Sequence, residues 1–165
     1  MSEPTKARRP AELALRAGAY VIDGVLVGGG RLLLKAAGAP WLVPLGLAAC
    51  YYTWMPVAYE GQTFGKMAAG VAIVDERGEP LTYGQCFGRY AGYFLSAALL
   101  GAGYVVAAFH PEGRALHDIV ASTRVVAVAP VTRGRRLAVL AAAAVGLILL
   151  PLALGAALLL SAWKS

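Results

Sequence analysis

In the apolar stretch LALRAGAYVIDGVLVGGG, residues 13–30, two side chains are charged: Arg16 near the start and Asp23 in the middle. A carboxylate inside lipid costs roughly 2.5–3.5 kcal/mol on insertion scales, so it is expected to face a partner or a water-filled cavity. Two kinds of chemistry are open to Asp23. It either binds a proton or small cation, or fixes helix packing through a buried ion pair. Arg16 stands seven positions before it, so the two share a helix face about 10 Å apart and need a third group to bridge them. Arg16 is long enough to snorkel to the headgroups; Asp23 is not.

A second group of chemistry-bearing residues lies in RALHDIVAST, residues 114–123, where Arg114, His117 and Asp118 fall close together. His117, with His110 one of the two histidines, is of the type that titrates near neutrality. The plainer reading is a solvated loop in which Asp118 accepts from Ser122, Thr123 or backbone amides. Two histidines seven residues apart do not match a metal-ligand pair, and Cys50 and Cys86 show neither metal nor disulfide spacing. GQTFGK, residues 61–66, lacks the spacing of a phosphate loop. With no nucleophile–base arrangement legible, neither an enzyme nor a cofactor is expected.

The elements that position these residues follow from composition. The chain has 165 residues, 59% hydrophobic and 15% charged, with a mean hydropathy of +0.63. A soluble domain of this size carries more polar surface, and here the apolar residues form runs, as in membrane proteins. The net charge of +6 comes from residues at the edges of those runs: Lys6, Arg8 and Arg9 before the first, and Arg133, Arg135 and Arg136 before the last. That placement fits an anionic cytoplasmic leaflet rather than nucleic acid.

Four segments result, at about 13–30, 39–59, 85–109 and 137–163. The expected fold is an all-α integral membrane protein with a cytoplasmic tail (1–12), a membrane domain (13–128) and a basic linker with a C-terminal transmembrane helix (129–165). Residues 60–84, with VAIVD, ERGEP and LTY, predict a small cytoplasmic β-hairpin. The positive-inside rule places the N-terminus, this hairpin and the Arg-rich 110–136 loop in the cytoplasm. Four plain crossings would put that loop outside. The third segment therefore either spans or folds back near Gly101–Gly103, in which case VAIVD and TRVVAV can pair in one sheet.

Small residues recur at helical spacing. Gly24 and Gly28 form a GxxxG step beside Asp23, and Gly84, Gly88, Gly92 and Ser96 recur every fourth position. Such ridges let helix backbones approach closely, and tight packing at Gly24 is expected to bring Asp23 near a neighbouring helix.

Three ordered motifs carry a family resemblance. LRAGAYVIDGVL, GQTFGKMAAGVAIVDERGEPLTYGQCFGRY and GRALHDIVASTRVV resemble the RDD family of small bacterial membrane proteins, named for one arginine and two aspartates. The resemblance covers residues 12–128. It matches Arg16 and Asp23 in the first helix, Gly61, Gln62, Thr63, Gly65 and Lys66 in the middle motif, and His117, Asp118, Ala121 and Thr123 in the last. Ser122 stands where the family often has glycine. The resemblance implies a multi-pass protein of the bacterial inner membrane, from a mostly uncharacterised family for which transport has been proposed and some members of which are linked to sodium/proton antiport. It would make Asp23 the carboxylate coupling a small cation to a proton, Asp118 a second acid at the cytoplasmic mouth, and Arg16 the group tuning Asp23. His117, Arg114, Gln62, Thr63, Lys66 and Thr123 would support them. So few helices need a homo-oligomer to enclose a pathway. The alternative is a non-catalytic scaffold or assembly partner of another membrane protein, with the Arg/Asp set as structural ion pairs.

Overall fold

The computed structural model describes residues 10–99, 102–130 and 132–163. Of the basic tail, Lys6, Arg8 and Arg9 lie outside the described residues, as does Gly101 of the expected fold-back point. The chain is mostly helical with one small sheet. Helix α1 (Leu13–Ala36) buries Leu15, Ala19, Asp23 and Val27, an i, i+4 stripe that puts the aspartate on the packed face. It packs against α2 (Leu42–Ala58), the short α3 (Phe64–Ala69) and the long α7 (Arg133–Trp163). The close approach of α7 runs through small residues: a Cβ at Gly18 would meet the Val139 side chain at 2.5 Å, and one at Gly146 the Val25 side chain at 2.6 Å.

The expected hairpin is not formed. Strand β1 (Val71–Asp75) pairs instead with β2 (Thr123–Ala127), antiparallel, with Val71 opposite Ala127 and Asp75 opposite Thr123. Residues 80–82 cannot supply the second strand for a local reason. Pro80 has no N–H to donate, and Thr82 begins α4 (Tyr83–Ala98). Thr82 Oγ1 accepts from Gln85 N–H at 3.3 Å, and Gln85 Oε1 accepts from Thr82 N–H at 3.0 Å. This reciprocal capping box is the signature of a helix start in T-x-x-Q. The pairing of VAIVD with TRVVAV is thus the one realised, and Pro10 adds a bridge to Val126 beside it.

The third apolar segment is broken into α4 and α5 (Ala102–Phe109), whose axes differ by 104°. After α5 the chain turns through α6 (Leu116–Val120) into β2. Because β1 precedes α4 and β2 follows α6, the sheet ties both ends of this segment together, and Arg114 reinforces the tie by pairing with Glu76. Helix α1 is long and apolar enough to cross a membrane, and so is the bent α4–α5 pair if that pair is one span. At 17 residues, α2 falls short of the ~20 that a straight crossing needs. It carries Pro44 in its first turn, where proline is tolerated.

Gly88, Gly92 and Ser96 serve packing within this chain, whereas Gly84 is exposed at the start of α4. A Cβ at Gly92 would meet the His117 Cβ at 2.7 Å, one at Gly88 the Ala121 Cβ at 3.7 Å, and Gly103 of α5 sits against Ser96. This face is therefore already covered by α5 and α6 and is not a free ridge for a second copy. The Gly24–Gly28 step behaves differently again: a Cβ at Gly24 meets nothing within 4 Å, and Gly28 is half-buried.

Candidate functional site

The three residues expected to gather as one constellation fall into two buried centres, each built around one carboxylate. The first is Asp23, wholly buried. Its Oδ1 accepts from Tyr51 OH at 2.6 Å and Gly65 N–H at 2.7 Å; its Oδ2 accepts from Thr63 Oγ1 at 2.6 Å and Lys66 Nζ at 3.3 Å. A carboxylate offers about four acceptor positions, and all four are taken.

The GQTFGK motif is what builds this centre. Gly61 adopts φ +83°, and a side chain there would run into the Ile73 backbone, whose N–H donates to Gly61 O at 2.8 Å. The resulting turn delivers Thr63 as the N-cap of α3. Gly65 then lets α3 lie against α1, since a Cβ there would meet Asp23 Oδ1 at 2.8 Å. The close approach that brings Asp23 to a neighbour is thus made by Gly65 on the partner element, not by Gly24 on its own helix. Gln62 stands outside the centre and donates to Val71 O at 3.0 Å, tying the motif to β1.

The second centre is Asp118, also wholly buried. Arg16 of α1 donates to its Oδ2 and Arg89 of α4 to its Oδ1; Ala115 N–H donates to Oδ2 at 2.9 Å. The His117 Nε2 is 3.6 Å from Oδ1. Thr123 accepts from Arg89 and donates to the Asp118 backbone carbonyl at 3.3 Å. Arg16 also donates to Gly113 O. It neither snorkels outward, its side chain being only 10% exposed, nor tunes Asp23, whose cation is Lys66. The solvated-loop reading of 114–123 gives way to a buried ion-pair network. Arg114 lies apart from it, paired with Glu76 and Glu112.

The electrostatics of this second centre follow from burial and charge. Burial alone raises the Asp118 carboxyl; the neighbouring guanidiniums of Arg89 and Arg16 overcome it and hold the group well below the usual carboxylate range. Burial, reinforced by Arg89 and Arg16, pushes His117 down from 6.5 to about 3, so it is neutral at pH 7 and does not act as a switch there. Its ring packs edge-on to Tyr93, centroids 4.6 Å apart. Among the described residues, no three His, Cys, Asp or Glu side chains cluster as a metal site.

Two participants are not legible as such in the sequence. Arg89 reads as an interruption of the third apolar run, and Tyr51 as one of several interfacial rings. Arg89 carried a usable signal: a lone cation within an apolar segment needs a buried acid. Tyr51 carried none that separates it from Tyr52 beside it.

Comparison with known proteins agrees with the motif pattern. The family model described as RDD family matches residues 10–122. The chain is also 36% identical over 85 residues to a Bacillus subtilis (strain 168) protein described as "Uncharacterized protein YxaI". That alignment covers 52% of this chain and 56% of the relative, so the chain spans about half the length of that curated protein. No solved structure matches the chain.

Proposed function

This chain belongs to the RDD family, and from that premise we propose that it is a multi-pass, non-catalytic membrane scaffold whose Arg and Asp residues are structural ion pairs. The observation that carries this reading is that both buried carboxylates are held by donors and counter-charges of the chain itself. Asp23 has four donors, including Lys66, and Asp118 is held between Arg16 and Arg89 with a backbone N–H in addition. A carboxylate that exchanges a proton for a cation must give up its standing donors and counter-charge to do so. Here the counter-charges are covalently part of the chain. The sheet and the 104° break between α4 and α5 favour a fold-back, with the N-terminal segment, the 76–82 turn and the 110–136 loop in the cytoplasm. Exposed apolar side chains on α2 and α7, such as Leu42, Leu47, Leu147 and Ile148, then face the bilayer or helices of a partner membrane protein.

Cation/proton exchange by an oligomer is the second reading. It draws on one observation, a wholly buried carboxylate halfway along an apolar helix, a position that is functional by default. One experiment separates the two: proton flux in proteoliposomes, measured beside folded yield, for the natural chain and Asp23→Asn. The scaffold reading expects no cation-dependent flux from the natural chain and a lower folded yield from the variant. Cation-dependent flux that Asp23→Asn abolishes at unchanged yield would replace it with the exchange reading.

A further inference from the structure

Between α1, α4 and α5 lies a cavity of about 440 Å³, within the range of small-molecule sites. Its wall is divided. Arg16, Lys66, Arg89 and His117 contribute to it together with the hydroxyl-bearing Tyr20, Tyr93 and Tyr104; the rest is apolar, including Val71, Val105 and Val125. No Asp or Glu is among the lining residues. The wall reaches the surface at Leu13 (47% exposed), Tyr20 (36%) and Val105 (56%), on helices whose outer faces are apolar.

Charge accounting gives the cavity a sign. Three buried or nearly buried cations, Arg16, Lys66 and Arg89, are set against two buried carboxylates, Asp23 and Asp118. With His117 neutral, one positive charge is left over beside a low-dielectric space, and an uncompensated buried charge is costly. Hydrogen bonding points the same way. Arg89 is 3% exposed, and its Nε is buried with no hydrogen-bond acceptor among the described residues. Lys66 donates to Asp23 and Thr63, which leaves one of its three N–H groups for another acceptor.

We infer that this cavity binds an anionic single-chain amphiphile drawn from the bilayer, its carboxylate or phosphate head at Arg89 and Lys66 and its acyl chain along the α1–α5 wall. A small free anion would satisfy the cations and leave the apolar wall empty. A neutral lipid would fill the wall and leave the cations unanswered. A charged head on an apolar tail meets both halves and enters from lipid past Leu13 and Val105. This inference is independent of the scaffold reading, because it uses the one net positive charge and the unused N–H groups that remain after the two carboxylates are paired.

The test uses the full chain in neutral-lipid nanodiscs with a diazirine-bearing palmitate as the probe. Photocrosslinks are expected in residues 13–21 and 104–108 and are expected to be displaced by excess oleate, but neither by methyl oleate nor by inorganic phosphate. Arg89→Gln removes the head site but also touches the Asp118 centre. A second variant, Ala17→Phe, therefore narrows the cavity at an exposed wall residue, and crosslinking there is expected to fall about tenfold with the elution profile unchanged. Displacement by methyl oleate as efficiently as by oleate would overturn the inference, since the cations would then play no part. So would displacement by inorganic phosphate, or full crosslinking in Ala17→Phe.

Discussion

Arg16 and Asp118, 102 positions apart in the chain, form a buried ion pair, while Asp23, only two helical turns from Arg16, pairs with Lys66. The arginine and the two aspartates therefore belong to two clamps: one joins α1, α2 and α3, and the other joins α1, α4 and α6. A double-mutant cycle reads this division directly. Arg16→Met and Asp118→Asn are expected to couple by about 1–3 kcal/mol in unfolding free energy. Arg16→Met and Asp23→Asn are expected to be nearly additive. Equal coupling in both cycles would restore a single constellation.

Asp23→Asn leaves Lys66 as a buried cation without its carboxylate, so it is expected to lose about 3–5 kcal/mol. Adding Lys66→Met, which removes the stranded charge and keeps the apolar stem, is expected to recover most of that loss. Equilibrium unfolding of the single and double variants in one detergent makes the comparison; no recovery would mean that the pair is not the source of the cost.

Gly65→Ala tests the close approach of α3 to α1. The added methyl has no room, facing Asp23 Oδ1 at 2.8 Å and the Ala19 carbonyl, so α3 must shift and the Gly65 N–H bond to Asp23 must lengthen. A loss of about 1–3 kcal/mol is expected. Gly24→Ala, with nothing within 4 Å of its Cβ, is expected to be neutral or slightly stabilising by helix propensity.

Ser122 has φ +51°, a left-handed conformation that costs a residue with a Cβ about 1–2 kcal/mol. This explains why glycine suits the position. Ser122→Gly is expected to stabilise the chain by a few tenths to about 1 kcal/mol, net of the entropy glycine loses on folding. Thermal unfolding of the two forms measures it, and a fall in midpoint would contradict the strain.

The pH dependence follows from His117. The unfolded chain takes up a proton near 6.5, whereas the folded chain, with the imidazole buried among cations, does so only at about 3. In that window the unfolded state binds more protons, so stability falls as pH drops, by up to about 1.4 kcal/mol per unit. The Asp118 contribution, from a depressed carboxyl, persists down to about pH 4 and is lost only below it. Unfolding midpoints between about pH 7 and 4.5 should therefore decline in the natural chain and flatten in His117→Gln.

The sequence alone determined that the chain is a membrane-type helical protein. It also picked out the polar residues of both clamps except Tyr51 and Arg89. Those conclusions rest on the cost of a charge in an apolar run and on three ordered motifs, which are local properties. It did not determine who pairs with whom. Spacing set Arg16 beside Asp23 because helical periodicity sees only neighbours along one element, whereas the pairing is decided by which helices meet. VAIVD is equally suited to a local hairpin and to a partner some fifty residues later; what decided it was Pro80 and the Thr82–Gln85 capping box, which commit the nearer segment to α4. Once β1 and β2 pair, α6 is carried against α4 and α1. Only then does Asp118 come within reach of Arg16 and Arg89, and only then does the cavity beside them acquire its positive wall.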